Sequence, residues 1–417
     1  MKILICSDTY IYQTNGVVTV LITLVNGLRK LDHEVKVLAP SDCRKSFRKG
    51  DDYFIRSVPA LYYPGERLCL TRRDPLLDEL ENWKPDLIHF HTEGMIGRAA
   101  IRFAKKTNTP IVMTTHTDFA KYAFGRFNDS LPVREAARAV GKLFYPPTDA
   151  IIAPSEKSRD FYWLRPYKDK ITVIPSGICL ERIQRPVSKT EKTLLLRKYG
   201  LEDNGFTLVI VARISKEKNI MEILRYIPAL VRALPKAQLI IAGDGPYLNK
   251  LKKHCVHHSI SEHVRFTGGI APDDVYRYYA MGDVFVSAST FETQGMTYLE
   301  AMACGLPQVC RDDGCLAGVI ENGKNGFLYH TEQDFVAAVS KILLNRQLWE
   351  KMSACALEMA AGFSDKRFVQ QIIALYKKAL GNYSEPPRVG KQFPRVDLLV
   401  LDWWSRIMNY LSLFFMK

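Results

Sequence analysis

Two carboxylates stand eight residues apart in the segment Ser289-Thr-Phe-Glu292-Thr-Gln294-Gly295-Met296-Thr297-Tyr-Leu-Glu300. The apolar run Val284–Ser287 predicts a strand just before the segment, and the residues after Gly295 open a helix. Glu292 then lies in a strand-to-helix loop, and Glu300 lies about one turn into the helix. The backbone N–H groups of Gly295, Met296 and Thr297 would point from the helix start at an anion, with the helix dipole favouring negative charge. Hydroxyl-binding carboxylates beside anion-binding amides suit a ligand that carries both sugar hydroxyls and a phosphate. Carboxylates at this spacing are common on solvated surfaces, so the surrounding loop carries the reading.

The elements that must position this loop follow from alternating runs. In the first half, strands are predicted at Lys2–Cys6, Glu34–Leu38, Leu87–His91, Ile111–Thr115, Ala150–Ala153 and Ile171–Ile174, with helices between them, clearest at Val18–Leu31 and Gly97–Lys106. The second half repeats the pattern at Thr207–Ala212, Gln238–Ala242, Val264–Thr267, Val284–Ser287 and Gln308–Cys310. Strand–helix alternation predicts an α/β fold of two doubly wound, Rossmann-like domains with mostly parallel sheets. The turn formers from Pro175-Ser176-Gly177 to Pro186 mark the boundary. We expect one domain over 1–185, a second over 186–362, a crossover helix over 363–382 that returns to the first domain, and a linker with a terminal helix over 383–417. A crevice between such domains faces the carboxyl ends of both sheets, where ligands of this architecture bind.

Composition narrows the partners. The 417 residues are 47% hydrophobic and 24% charged, an ordinary globular balance, and the net charge is +14. That excess favours something anionic: a nucleic acid, a membrane surface or a phosphate-bearing substrate. Nine cysteines, odd in number and scattered, fit reduced thiols better than a disulfide framework. Cys304, Cys310 and Cys315 lack the short spacing of a zinc site and read as buried apolar residues. His254, Cys255, His257 and His258 read as a solvated helix end, and His89 and His91 as a strand end. No metal site is expected. The N-terminal apolar run is too short for a secretory signal, so a cytoplasmic location is expected.

Two features look toward a membrane. In the stretch 98–146 nine basic residues face three acidic ones and are interleaved with Phe119, Tyr122, Phe124 and Phe127. Arg126 and its neighbours there suit docking on anionic lipid; with no RNA-binding motif beside them, no nucleic-acid partner is expected. In Val396–Met416 the six polar residues all fall within about half of a helical wheel at 100° per residue. The wide apolar face, with Trp403, Trp404, Phe414 and Phe415, suits a helix lying in the headgroup boundary; its charges argue against a spanning one. The chain is therefore expected on the inner membrane face as a peripheral protein. Packing on the protein's own core, or on a second copy, is the other use of such a face.

The Glu292-x7-Glu300 stretch, together with Ala212-Arg213-Ile-Ser-Lys216-Glu217-Lys218-Asn219, Gly243-Asp-Gly245-Pro246 and Thr14-Asn15-Gly16-Val17, resembles the retaining nucleotide-sugar glycosyltransferases of family 4, with their two-domain GT-B fold. The likeness covers about residues 1 to 380 and, within the family, is greatest to bacterial diacylglycerol glucosyltransferases. It implies that Arg213 and Lys218 clamp the donor's diphosphate, that Glu292 binds the transferred sugar and Glu300 the ribose, and that His116, at a strand end, sits near the reacting centre. It further implies a donor site built from Asn15, Gly16, Val17, Gly243, Gly268, Gln294, Gly295, Met296 and Thr297. Asn15 stands where many relatives have a second glycine, and Ala212 where many have a glycine before the arginine. Asp118, with Phe119 and Tyr122, is placed on the acceptor side.

The implied reaction moves a hexose, glucose from UDP-glucose, onto diacylglycerol with retained configuration. No cofactor beyond the donor is expected, and because fixed cations and amides already meet the diphosphate, turnover is expected without a metal. A polyprenyl-linked or other glycan, or a phosphatidylinositol-type lipid, is an alternative acceptor, and a non-catalytic scaffold that binds nucleotide sugar and membrane is an alternative function.

Overall fold

The computed structural model describes residues 1–13, 15–59, 67–69, 74–92, 94–116, 148–161 and 168–383. The first sheet contains β1 (Lys2–Cys6), β2 (Glu34–Pro40), β3 (Phe47–Lys49), β4 (Asp52–Ile55), β7 (Leu87–Phe90), β8 (Ile111–Thr114), β9 (Ala150–Ala153) and β10 (Ile171–Val173), and a small hairpin joins β5 (Ser57–Pro59) to β6 (Arg67–Cys69). The second contains β11 (Phe206–Val211), β12 (Ala237–Ala242), β13 (Val264–Gly268), β14 (Val284–Ser287), β15 (Gln308–Arg311) and β16 (Gly326–Tyr329). The expected α/β class with two Rossmann-like, mostly parallel sheets is the observed one. Among the described residues only β3 pairs antiparallel in the first sheet.

The strand orders are 10-9-8-7-1-2-4-3 and 13-12-11-14-15-16. The order switches direction between β1 and β7 in the first sheet, whose edge also folds back from β4 to β3, and between β11 and β14 in the second. Loops diverge at such points and open a crevice at the carboxyl ends of the strands. Strands β3, β4, β5, β6 and β16 are not expected from the sequence; each is only three or four residues long, too short for its pattern to stand out from the polar and glycine residues around it.

Central strands are buried on both faces, as in β12, where all six residues are buried. The helix Ile220–Ala233 turns Ile220, Ile223, Leu224, Ile227 and Leu230 onto the second sheet, a 3.6-residue stripe. The last described helix, Asp365–Gly381, belongs by packing to the first domain. Phe368, Val369, Ile372, Leu375 and Tyr376 share a core with Ile3, Leu21 and Leu24. A methyl at Gly27, on the helix Gly16–Lys30, would come within 2.4 Å of Val369, so the two helices approach too closely for any side chain there. Where the chain passes between the domains its two crossings are tied together: Ile178 N donates to Phe363 O at 2.9 Å, and Asp365 N donates to Ile178 O at 2.9 Å.

Candidate active site at the domain junction

The second domain contributes from its reversal point. Lys218 ends a single 3-10 turn after β11, and Glu292 lies in the loop after β14. Their side chains meet: Lys218 Nζ donates to Glu292 Oε1 at 2.5 Å, and Ser289 Oγ donates to the same oxygen at 2.8 Å. Both side chains are largely shielded, at 27% and 13% exposure, so the attraction is less screened than at an open surface. Ala212, Lys218, Glu292 and Thr297 line one cavity. Arg213, next to Ala212, is exposed and makes no ion pair among the described residues.

Gly295 caps the helix Met296–Ala303 in a left-handed conformation, φ 77°, and offers no side chain to the helix N–H groups. A methyl on it would lie 2.3 Å from the Tyr298 ring. Glycine is required here on both counts. The amides of Met296 and Thr297 thus have no partner among the described residues, as the first N–H groups of a helix lack one unless something caps them.

The first domain meets them with a second helix start. Asn15 Oδ1 accepts from Val18 N at 3.0 Å and Asn15 Nδ2 donates to Thr9 Oγ1 at 2.9 Å, so the side chain is a helix cap held by the preceding loop. Gly16 and Val17 keep unpartnered N–H groups among the described residues. A methyl built on Gly16 would sit 3.7 Å from Met296 Cγ. Two helix N-termini, one from each domain, therefore face one another across the junction.

Glu300 lies deeper on its helix and does not share the Glu292 cavity. Its Oε2 accepts from the buried Tyr279 hydroxyl at 2.9 Å. Burial pushes its carboxyl up to about 7, while the Tyr279 bond and the Arg182 charge pull the other way. Gly243 abuts the end of β11; a methyl there would be 1.9 Å from Ala212 O. Gly243 N donates to Gly268 O at 3.1 Å, which holds the loops after β12 and β13 together.

Gln294 turns its side chain toward the first domain. Its Oε1 accepts from Ser176 N at 2.8 Å and its Nε2 donates to Ser176 O at 3.2 Å, both buried. One acceptor and one donor of the amide are thus held at the domain junction. The same loop is gripped from the first domain by Ser155 Oγ, which donates to Thr293 O at 2.5 Å. Thr293 Oγ1 in turn donates to His116 O at 3.1 Å. Lys157 Nζ reaches Asp313 at 2.5 and 2.6 Å. Nothing in the residue pattern singles out Ser155, Lys157 or Asp313, because their partners lie more than a hundred residues away.

His116 is half-buried at the end of β8, and its Nε2 lies 2.9 Å from His91 Nδ1. His89 and His91, read from sequence as a strand end, are fully buried beside it, with ring centroids 4.1 Å apart. Burial pushes His116 down to about 4 and His89 to about 3, so both are neutral at pH 7. At the first sheet's reversal point, Asp8 Oδ1 accepts from Ile96 N at 2.8 Å and Oδ2 accepts from Thr92 Oγ1 at 2.7 Å, which caps the helix Met95–Thr107. Asp118, Phe119, Tyr122, Phe124, Arg126, Trp403 and Trp404 lie outside the described residues.

This arrangement can bind an anion between opposed helix starts with cations at the rim, and can bind hydroxyls at Glu292. Known proteins share the sequence pattern and the fold around it. Residues 14–182 match the model of Glycosyltransferase Family 4, and residues 191–359 match that of Glycosyl transferases group 1. The chain is 35% identical to the alpha-monoglucosyldiacylglycerol synthase of Streptococcus pneumoniae over 82% of this chain and 78% of that protein. It is 30% identical to the synthase of the same name from Acholeplasma laidlawii over 90% and 96%. Anabaena Alr3699/HepE in complex with UDP and glucose superposes with a TM-score of 0.71 at 19% identity, over 91% of this chain and all of that one. Sucrose-phosphate synthase from Thermosynechococcus elongatus does so with 0.69 at 18%, over 91% and 98%. On this likeness of sequence over most of both chains, with the GT-B fold beneath it, the chain belongs to glycosyltransferase family 4.

Proposed function

We propose that this glycosyltransferase moves glucose from UDP-glucose onto diacylglycerol, with retention of configuration, at the cytoplasmic membrane face. The observation that carries the reading is the Lys218–Glu292 pair beside the unpartnered amides of Met296 and Thr297, opposite those of Gly16 and Val17. The acceptor is supported by the names of the S. pneumoniae and A. laidlawii relatives. The donor is supported by Alr3699/HepE, solved with UDP-glucose.

In this mechanism the diphosphate docks against the four amides and takes Lys218 and Arg213 as counter-charges. Freed from Lys218, Glu292 accepts hydrogen bonds from the sugar. The bond from the anomeric carbon to the diphosphate oxygen breaks as the acceptor hydroxyl approaches the same face. A departing phosphate oxygen takes the hydroxyl proton, giving UDP and the glycolipid. Charge grows on the leaving diphosphate, so the fixed donors stabilise the transition state more than the bound substrate. No protein carboxylate acts as nucleophile and no metal takes part.

Membrane attachment rests on the basic stretch 98–146 and the apolar face of Val396–Met416. Among the described residues no helix is long and apolar enough to cross a membrane. A panel of nucleotide sugars against vesicles containing diacylglycerol tests the proposal, with the lipid product identified by mass and its anomer by NMR. Transfer from UDP-glucose to give an α-glucosyl lipid is expected; transfer only to a glycan or inositol lipid, or only with an added divalent ion, overturns it.

A further inference from the structure

β7 and β8 run parallel, with His89 beside Val112 and Phe90 beside Met113. Side chains alternate across a sheet, so His89 and His91 share one face, and Thr114 and His116 share one face of the next strand. The contacts form two rungs on that face. His89 Nε2 lies 2.7 Å from Thr114 Oγ1, and His91 Nδ1 lies 2.9 Å from His116 Nε2. The far side of the first rung is closed by the crossover helix, whose Tyr376 hydroxyl is 2.6 Å from His89 Nδ1.

The second rung must place one proton between two ring nitrogens. His91 is 1% exposed, and its Nε2 is buried with no partner among the described residues. A proton on that nitrogen would be a buried N–H with nothing to accept it, whereas a lone pair there is the cheaper vacancy. The proton of neutral His91 therefore belongs on Nδ1, where it is donated to His116. His116 Nε2 must then be an acceptor, and the proton of neutral His116 is left on Nδ1. Among the described residues that nitrogen has no hydrogen bond. Thr293, from the loop that carries Glu292, holds the His116 carbonyl.

We propose that His91 is a positioning residue that fixes His116 as the Nδ1–H tautomer, making the histidine at the cleft edge a neutral hydrogen-bond donor to a substrate oxygen instead of a proton acceptor. The depressed affinity of all three histidines for a second proton agrees with this, since it leaves the tautomer as the only variable. The role in sugar transfer rests on the function proposed above; the tautomer does not.

The test uses the full chain with 15N-labelled histidine and long-range proton–nitrogen correlation spectra, the His116 signals being those lost in His116→Gln. In the wild-type protein His116 is expected to show a protonated Nδ1 and a bare Nε2. His91→Leu, which removes the donor, is expected to move His116 toward the Nε2–H form and to lower kcat at least tenfold with the Kd for UDP unchanged. His91→Asn, whose amide N–H stands near the place of Nδ1–H, is expected to restore most of both. A wild-type His116 protonated on Nε2 overturns the inference, as does a His91→Leu variant with unaltered tautomer and kcat. Should His91→Leu fail to fold, the wild-type spectrum decides alone. A protein with the expected tautomer that transfers no sugar from any donor would count against the proposed reaction and leave the tautomer standing.

Discussion

Lys218 Nζ and Glu292 Oε1 meet at 2.5 Å across the reversal point between β11 and β14, so the cation proposed to hold the diphosphate is already neutralised by the carboxylate proposed to hold the sugar. Each must release the other when substrate binds. Glu292→Ala should therefore separate binding from turnover. Freeing Lys218 is expected to tighten UDP binding severalfold, on the order of 1 kcal/mol for a partly shielded pair. Turnover should fall by roughly a hundredfold or more, because a group that holds the reacting sugar is gone. Titration calorimetry with UDP and a radiolabelled transfer assay read the two effects; weaker UDP binding in the variant would refute the competition.

Gly295 and Gly268 share nearly the same backbone angle, φ 77° and 76°, but not the same surroundings. A methyl at Gly295 meets the Tyr298 ring at 2.3 Å, and one at Gly268 meets nothing within 4 Å. Gly268→Ala is expected to cost only the left-handed strain, about 1 kcal/mol. Gly295→Ala should cost about 3 kcal/mol or more, because the ring must also move, and it should weaken UDP binding by displacing the helix start. Denaturant unfolding of the two variants against wild type decides, and equal costs would show that the Tyr298 contact is relieved without effort.

Much of this site was legible because its parts are local. Glu292, Gly295 and the helix after them lie in one short segment, and the strand before it is an apolar run. Arg213 and Lys218 follow a β-branched strand in the same way. Helix Asp365–Gly381 was legible as a helix, and the family resemblance returned it to the first domain. Its seat there depends on Val369 meeting Gly27, a contact across more than three hundred residues. The histidine rungs were hidden for a related reason. They follow from the register of β7 on β8, and no residue pattern states which positions of two parallel strands will be neighbours. The contact of Gln294 was hidden in the same way, although its partner Ser176 stands at the predicted boundary.

Glu300 ties the stability of the fold to pH. Its folded pKa of about 7 stands above the ordinary carboxyl value of 4.5. Between those values the unfolded chain releases a proton that the folded chain keeps, so stability falls as pH rises through this window. Glu300→Gln keeps an oxygen to accept the Tyr279 hydroxyl and removes the charge. It should stabilise the ligand-free protein at pH 8, on the order of 1 kcal/mol once solvent at the half-buried carboxyl is allowed for, and leave it unchanged near pH 4. Thermal unfolding across that range measures the difference; a gain that does not depend on pH would assign it to packing instead of charge.

Gln294 and Ser176 make the most economical link between the domains, one side-chain amide satisfying both backbone groups of one residue in a buried setting. Gln294→Ala leaves the Ser176 N–H and C=O without partners, which costs about 1–3 kcal/mol for each group that water cannot reach. The junction is the natural place for water to enter, so the variant should relieve that cost by opening. Faster hydrogen exchange at Ser176 and Gly177, with exchange in β1 and β12 unchanged, is the expected result. Gln294→Glu retains the acceptor for Ser176 N and loses the donor to Ser176 O, so its exchange rate should fall between wild type and Gln294→Ala. If instead Gln294→Ala left exchange at Ser176 as slow as in wild type, the Ser155–Thr293 and Lys157–Asp313 contacts alone would be holding the junction shut.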